Sequence, residues 1–245
     1  MNLNGKTALV TGGAIRVGKA ISLALAHAGA NVVINYHSSA SEAAQTAAQV
    51  ESLGVRALPV MADVADHAQV QQMVAQAQAR FGGVDVLVNG ASLFKRTPLP
   101  MEDVSDWRLV LGIGLDGAFY CANAVAPQMI ARGEGVIINI VDLSAWQPSA
   151  GFAAHSVGKA GLLALTRQLA LDLAPAVRVN AVAPGPVLPP PHYDALRIER
   201  LTKKTLLKRW GSPDDVAQAV LFLIRADYIT GDCVTVDGGE RYGHW

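Results

Sequence analysis

The sequence predicts an α/β fold: one doubly wound parallel sheet of about seven strands with helices on both faces. Three observations lead there. Short β-branched runs alternate with longer stretches of helical spacing from one end of the chain to the other. The strand-like runs are almost continuously apolar rather than alternating, as a sheet covered on both faces requires. The connections are short, so consecutive strands join through helices in right-handed crossovers.

Taken in order, Lys6–Thr11 (KTALVT) predicts the first strand and Arg16–Gly29 a helix that stops on glycine. Asn31–Asn35 (NVVIN) predicts the second strand, Ser41–Leu53 a helix and Val55–Met61 the third strand. Asp66–Phe81, rich in Gln and Ala, predicts a helix and Val84–Val88 the fourth strand. Asp103–Arg132 holds one or two helices, Val136–Val141 (VIINIV) a strand, and Phe152–Leu173 a long helix. Arg178–Val182 is a strand, Pro213–Ile224 a helix and Cys233–Val236 the last strand. From Pro184 to Trp210 neither strand nor clear helix is predicted, and Pro184-Gly185-Pro186 and Pro189-Pro190-Pro191 are breaker signals. A long loop in a compact fold usually covers a functional site. The expectation is one domain over 1–245 with a substrate lid at about 186–210.

Composition narrows the function classes. The 245 residues carry 20 Lys+Arg against 20 Asp+Glu, with 51% hydrophobic and 16% charged. Such a chain is too apolar for a disordered one. Its zero net charge gives no reason to expect nucleic acid or an anionic membrane as partner. So little polar coat means a large core or apolar surface hidden in an oligomer. Cys121 and Cys233 are too few for a disulfide framework and lack metal spacing, so no metal is expected. The first residues show no leader, and no apolar stretch reaches the ~18 residues of a membrane span, so the expectation is a soluble cytoplasmic protein.

The first strand runs into Thr11-Gly12-Gly13-Ala14-Ile15-Arg16-Val17-Gly18 and then a helix. A helix N-terminus offers unpaired N–H groups and a positive dipole to a phosphate. Gly12 and Gly13 allow the tight turn, and Gly18 lets helix and strand pack closely. This turn resembles the Thr-Gly-x-x-x-Gly-x-Gly of the Rossmann-type short-chain dehydrogenase/reductase family, with Arg16 where that family usually has its second glycine. A subgroup similar to pteridine reductases carries Arg there. A guanidinium at that place can take the 2′-phosphate of NADP bidentately. The second strand ends Asn35-Tyr36-His37-Ser38-Ser39, without the acid that binds the ribose of NAD, so NADPH/NADP is the implied cofactor.

Further matches follow in order. Asp63 and Val64 stand where the family contacts adenine, and Asn89-Gly90-Ala91 resembles its turn after the fourth strand. Pro184-Gly185 resembles its nicotinamide-side pair, and Asp237-Gly238-Gly239 its last signature. The implied cofactor residues are Gly12, Ile15, Arg16, Val17, Asn35, Tyr36, His37, Ser38, Asp63, Val64, Asn89, Ala91, Lys159, Pro184 and Gly185.

The family's active site is Tyr-x-x-x-Lys on the long helix, a Ser about thirteen residues before the Tyr, and an Asn on the preceding helix. Lys159 stands in its place. His155 takes the Tyr position, Asp142 the Ser position, and Gly114 the Asn position. Asp for Ser again resembles pteridine reductases, as does Phe94 after the Asn89–Ala91 turn. Phe94 either stacks on a flat heterocycle or packs as a core residue. His155 and Lys159 lie one helical turn apart and share a face. An Asp142–His155 pair can hold and release a proton as a unit. Alternatively, His155 fills space and ordinary carbonyl chemistry is lost.

Ser92, Phe94, Trp146, Leu188, Tyr193 and Trp210 are expected to line the substrate pocket. A pterin-like or cyclic C=N acceptor suits the altered acid better than a ketone, whose oxygen needs a strong donor as charge develops. Two classes result: an NADPH-dependent reductase with a non-standard Asp142/His155/Lys159 site, or an NADP-binding relative acting as sensor or partner. The family resemblance and the apolar, small-residue helix Phe152–Leu173 imply a homotetramer. The basic, helix-like stretch Arg197–Arg209 reads as solvated lid surface.

Overall fold

In the computed structural model the described residues are 1–189 and 193–243. The Pro190-Pro191-His192 part of the expected lid lies outside them. Strands β1 (Thr7–Thr11), β2 (Asn31–Tyr36), β3 (Ala57–Met61), β4 (Val86–Asn89), β5 (Gly135–Ile140), β6 (Val177–Pro184) and β7 (Cys233–Val236) form one sheet. Its order is β3-β2-β1-β4-β5-β6-β7, and every neighbouring pair is parallel. The helices are α1 (Arg16–His27), α2 (Ala40–Ser52), α3 (His67–Phe81), α4 (Ser105–Leu111), α5 (Gly117–Arg132), α6 (Ala153–Leu173), α7 (Ala195–Lys204) and α8 (Pro213–Arg225).

Side chains alternate across the sheet. Ala8 and Val10 of β1 join Ile21 and Leu25 of α1 and Leu223 and Ile224 of α8 in one layer. Leu9 points the other way, into a layer with Met73 of α3 and Met129 of α5. Both faces being covered, β1, β4 and β5 are buried throughout, whereas the edge strands β3 and β7 are partly exposed. Each fully buried Leu or Ile contributes about 1.5–3 kcal/mol on this packing. The chain runs outward from β1 to β3 and returns at β4, so the strand order reverses beside β1. The crevice at the carboxyl ends of β1 and β4 is where such sheets take ligands.

Three expectations are refined or changed. The stretch Asp103–Arg132, expected as one or two helices, is two: α4 and α5 joined by a π turn, Gly112–Asp116. Gly117 at its end lies so close to the loop after β3 that a Cβ there would stand 2.8 Å from Val64 Cγ2. Second, this continuous Ser105–Arg132 helix, with mean hydropathy 1.5, is long and apolar enough to pass for a membrane span by length and composition, contrary to the sequence expectation. Its Cys121, Ala122, Val125 and Met129 are buried in the core against the sheet. Third, the segment after β6, expected to hold only a helix-like stretch, contains the regular helix α7. Asp194 caps it by accepting from the Arg197 N–H, and Ile198, Leu201 and Thr202 form its half-buried stripe.

Candidate functional site

The turn after β1 is built from side chains that satisfy its backbone. Thr11 Oγ1 accepts from the N–H groups of Gly90 (3.0 Å) and Ala91 (3.1 Å), which ties the end of β1 to the end of β4. Asn35 Oδ1 accepts from Gly12 N (3.3 Å), while Asn35 Nδ2 donates to Ala62 O (3.0 Å). Ser22 and Thr46 hydroxyls donate to the carbonyls of Gly13 and Ala14. A Cβ on Gly18 would collide with the carbonyl oxygen of Gly12, so the helix can start this close to the turn only with glycine there. No side chain caps α1 and no acid stands in its first turn. Its N–H groups and dipole are therefore presented to an anion, and the residues present fit a dinucleotide diphosphate.

Beside this turn lies a cavity of about 390 Å³. Gly12, Asn35, Tyr36, His37, Asp63, Val64 and Ala91 line it, with Leu109 and Ile113 adding an apolar wall. Ser92, expected in the substrate pocket, lines this cavity and not the one beside His155, because the turn after β4 faces it. Ile15 and Ser38 are exposed, while Val17 packs against the core. The side chains of Asn35 and Asn89 are buried; Asn35 holds the backbone of Gly12 and Ala62, while Asn89 Oδ1 has no partner among the described residues. Asn89 Nδ2 donates to Asn139 Oδ1 (2.9 Å), and Asn139 Nδ2 in turn to Thr166 Oγ1 (2.9 Å). Arg16, expected at a 2′-phosphate, has φ 52, and its Nη2 donates to Leu188 O (3.1 Å) on the other side of the turn. A non-glycine residue in this left-handed region costs about 1–2 kcal/mol.

The second cluster sits at the ends of β5 and β6. Asp142 starts a short 3₁₀ turn, Leu143–Ala145, and its Oδ1 accepts from Ser144 N (2.8 Å) and from the Ser144 hydroxyl. Its Oδ2 lies 2.6 Å from His155 Nε2, on α6. One turn further along α6, Lys159 Nζ donates to Ile140 O (2.7 Å) and is buried. Burial pushes the Asp142 carboxyl up, but the His155 bond, the Lys159 charge and the Ser144 bond outweigh it and hold it at about 2. Burial pulls the Lys159 ammonium below its ordinary value, against the raising effect of Asp142. An ionised carboxylate only accepts, so His155 Nε2 carries the hydrogen between the two.

A cavity of about 260 Å³ opens on this pair and is walled by Phe94, Leu188, Tyr193 and Trp210, with Pro184 and Gly185 at its base. Gly185 passes so close to the chain after β7 that a Cβ would stand 2.7 Å from Asp237 Cβ. Phe94 stacks on Phe152 (centroids 4.3 Å, 11°) and meets His155 edge-on (4.8 Å, 88°), leaving it 55% exposed. It is both a packed residue and a pocket wall. Trp146 is not in this cavity: the 3₁₀ turn carries it outward to a groove with Gln147, Arg241 and Tyr242. Ser144 and Glu240 also line the cavity, outside the set the sequence predicts. The Asp-x-Ser spacing signals the first, while Glu240 arrives only through the packing of the chain after β7. Gly114 is buried in the π turn, and a Cβ there would meet nothing within 4 Å. Among the described residues no cluster of three or more His, Cys, Asp or Glu could hold a metal.

The chain is similar to known proteins along nearly its whole length. The profile of a family described as enoyl-(acyl carrier protein) reductase matches residues 13–240. A 3-oxoacyl-(acyl-carrier-protein) reductase of Synechocystis sp. is 37% identical over 241 residues, 97% of each chain. A gluconate 5-dehydrogenase from Burkholderia cenocepacia, solved with NADP and tartrate, superimposes with a TM-score of 0.90 at 34% identity over 98% of this chain and 96% of that one. A blue fluorescent protein from a metagenomic library, solved with NADPH, gives 0.91 at 37% identity over 98% and 99%.

Proposed function

This chain belongs to the short-chain dehydrogenase/reductase family of oxidoreductases, and from that premise we propose that it is an NADPH-dependent reductase of a small C=N or C=O substrate. The observation that carries the reading is the Asp142–His155 contact at 2.6 Å, opening on a cavity beside Pro184-Gly185 at the carboxyl ends of the sheet. The uncapped start of α1 would hold the diphosphate, and the cavity beside Asp63, Val64 and Ala91 the adenine. NADP over NAD is supported by the absence of an acid after β2, where His37 and Ser38 stand exposed, and by the neighbours solved with NADP and NADPH. When bound, NADPH supplies the hydride. Asp142 stays ionised and fixes the imidazole of His155, and the pair holds the proton that follows the hydride. Lys159, bonded to Ile140 O, fixes the end of β5 against α6 and adds positive charge behind the pair.

A C=N substrate, pterin-like or a cyclic imine, is preferred on chemical grounds. Its nitrogen takes a proton from a weak donor, whereas a ketone oxygen demands a strong one. Resemblance to pteridine reductases at Arg16, Asp142 and Phe94 points the same way. Two of the relatives named above, the 3-oxoacyl reductase and the gluconate 5-dehydrogenase, act by name at a carbon bearing oxygen, so C=O stays within the proposal. The alternative, an NADP-binding sensor or partner protein, is disfavoured by the open cavity beside His155. Exposed apolar residues on α4–α6, among them Leu109, Phe119, Val157 and Leu171, support self-association as a homotetramer. The test is to mix purified protein with NADPH and a panel of pterins, cyclic imines and ketones, following cofactor absorbance, with light scattering for the mass. NADPH binding without turnover of any class would favour the sensor; turnover of ketones alone would sink the C=N preference.

A further inference from the structure

Arg16 stands at a bend where glycine would be unstrained, and its side chain crosses to a residue 172 positions away. The two ends of that bond belong to different halves of the site. Arg16 is part of the turn whose carbonyls and N–H groups Asn35, Ser22 and Thr46 hold in place. Leu188 is part of the wall of the cavity that contains Asp142 and His155.

We infer that Arg16 is a positioning residue that fastens the start of the substrate-side segment to the turn at the α1 N-terminus, so that the shape of the pocket follows the occupancy of that turn. The coupling rests on the reductase reading above; the fastening does not. Val187 is buried in the core, and Pro186 O accepts from Gly211 N (3.0 Å), so the segment is anchored up to Val187. Leu188 is the first residue beyond that anchor, and the Arg16 bond sets the direction in which the chain leaves. A guanidinium has five N–H donors in a rigid fork. One serves Leu188, which leaves others for a diphosphate oxygen lying at α1. An anion there would hold the fork in the orientation that Leu188 needs, and an empty turn would leave it to the solvent. This differs from a 2′-phosphate role, in which the guanidinium would serve the end of β2.

The test uses Arg16→Gly and Arg16→Lys. Glycine suits φ 52, so Arg16→Gly folds and its thermal midpoint does not drop. Trypsin reads the segment directly, since Arg197, Arg200, Lys203 and Arg209 lie in it or just beyond. Without cofactor, Arg16→Gly is expected to be cut between 197 and 209 roughly threefold to tenfold faster than wild type, at unchanged pace elsewhere, with Arg16→Lys in between. Saturating NADPH is expected to slow this cleavage in wild type and not in Arg16→Gly. Equal rates without cofactor would overturn the fastening, and equal protection by NADPH would overturn the coupling. Calorimetry separates the roles: the inference expects NADPH and NADH affinities of Arg16→Gly to change by the same factor. A tenfold loss for NADPH alone assigns Arg16 to the 2′-phosphate and overturns the inference while the reductase reading stands. Failure of wild type to bind NADPH sinks that reading and the coupling with it, and leaves the cofactor-free comparison to judge the fastening.

Discussion

His155 Nε2 and Asp142 Oδ2 meet at 2.6 Å across the gap between α6 and the turn that follows β5. The contact joins a nearly buried imidazole, 5% exposed, to a carboxylate whose other oxygen is saturated by Ser144. If the carboxylate turns away, the buried imidazole loses this partner, and an unpaired buried polar group costs about 1–3 kcal/mol.

Replacing Asp142 with Asn keeps the shape and removes the charge. With any accepted substrate, Asp142→Asn is expected to lower kcat by roughly 10²–10⁴ while the NADPH dissociation constant moves little. His155→Phe should do the same. Steady-state kinetics with calorimetric cofactor binding checks both; full turnover in His155→Phe would remove it from the proton path.

Asp142 also makes stability depend on acid. Its carboxyl titrates at about 2 in the fold against an ordinary 3.8, so the folded state binds that proton less readily than the unfolded state. The stabilisation is complete above the ordinary value and is lost as pH falls from about 4 through about 2. Urea midpoints of wild type should drop over that window more steeply than those of Asp142→Asn. Parallel curves would mean that another group is responsible.

Thr11→Val removes the one acceptor shared by Gly90 N and Ala91 N while keeping the side-chain volume. A loss of about 1–3 kcal/mol in chemical denaturation is expected. NADPH affinity should fall as well, since the turns after β1 and β4 both border the 390 Å³ cavity.

Gly117→Ala tests the close approach of the π-turn end to the loop after β3. The added methyl would stand 2.9 Å from Val64 O as well as against its side chain, so Val64 must shift. Overpacking of this kind costs about 1–3 kcal/mol. The thermal midpoint should fall, and adenine-containing cofactors should bind more weakly.

Much of this is legible in the sequence. Apolar runs of strand length and a glycine turn at the first strand–helix junction specify the sheet, its winding and the crevice beside β1, because burial on both faces leaves little other arrangement. What was missed has physical reasons. The stripe Ile198–Leu201–Thr202 of α7 is present in the sequence, but the prolines just before it mask the period. A π turn adds one residue to one helical turn and leaves no mark in a 3.6-residue pattern. Trp146 has the composition of a pocket residue, yet the 3₁₀ turn that starts on Asp142 decides where it goes. The direction of the Arg16 side chain depends on a positive φ that a sequence pattern does not encode.

The strand register aligns Thr11 with Asn89 and Asn89 with Asn139, a polar row across β1, β4 and β5 that continues to Thr166 on α6. On the function proposed above, the nucleotide would lie at the Thr11 end of that row and the reacting pair at the other. The two halves would then be modular for protein engineering. Exchanging pocket walls such as Phe94, Tyr193 and Trp210 is expected to change the substrate, and exchanging Tyr36, His37 and Ser38 the nucleotide, as a panel of substrates and cofactors would read. A substitution within the row itself would shift the distance between the halves and spoil both at once.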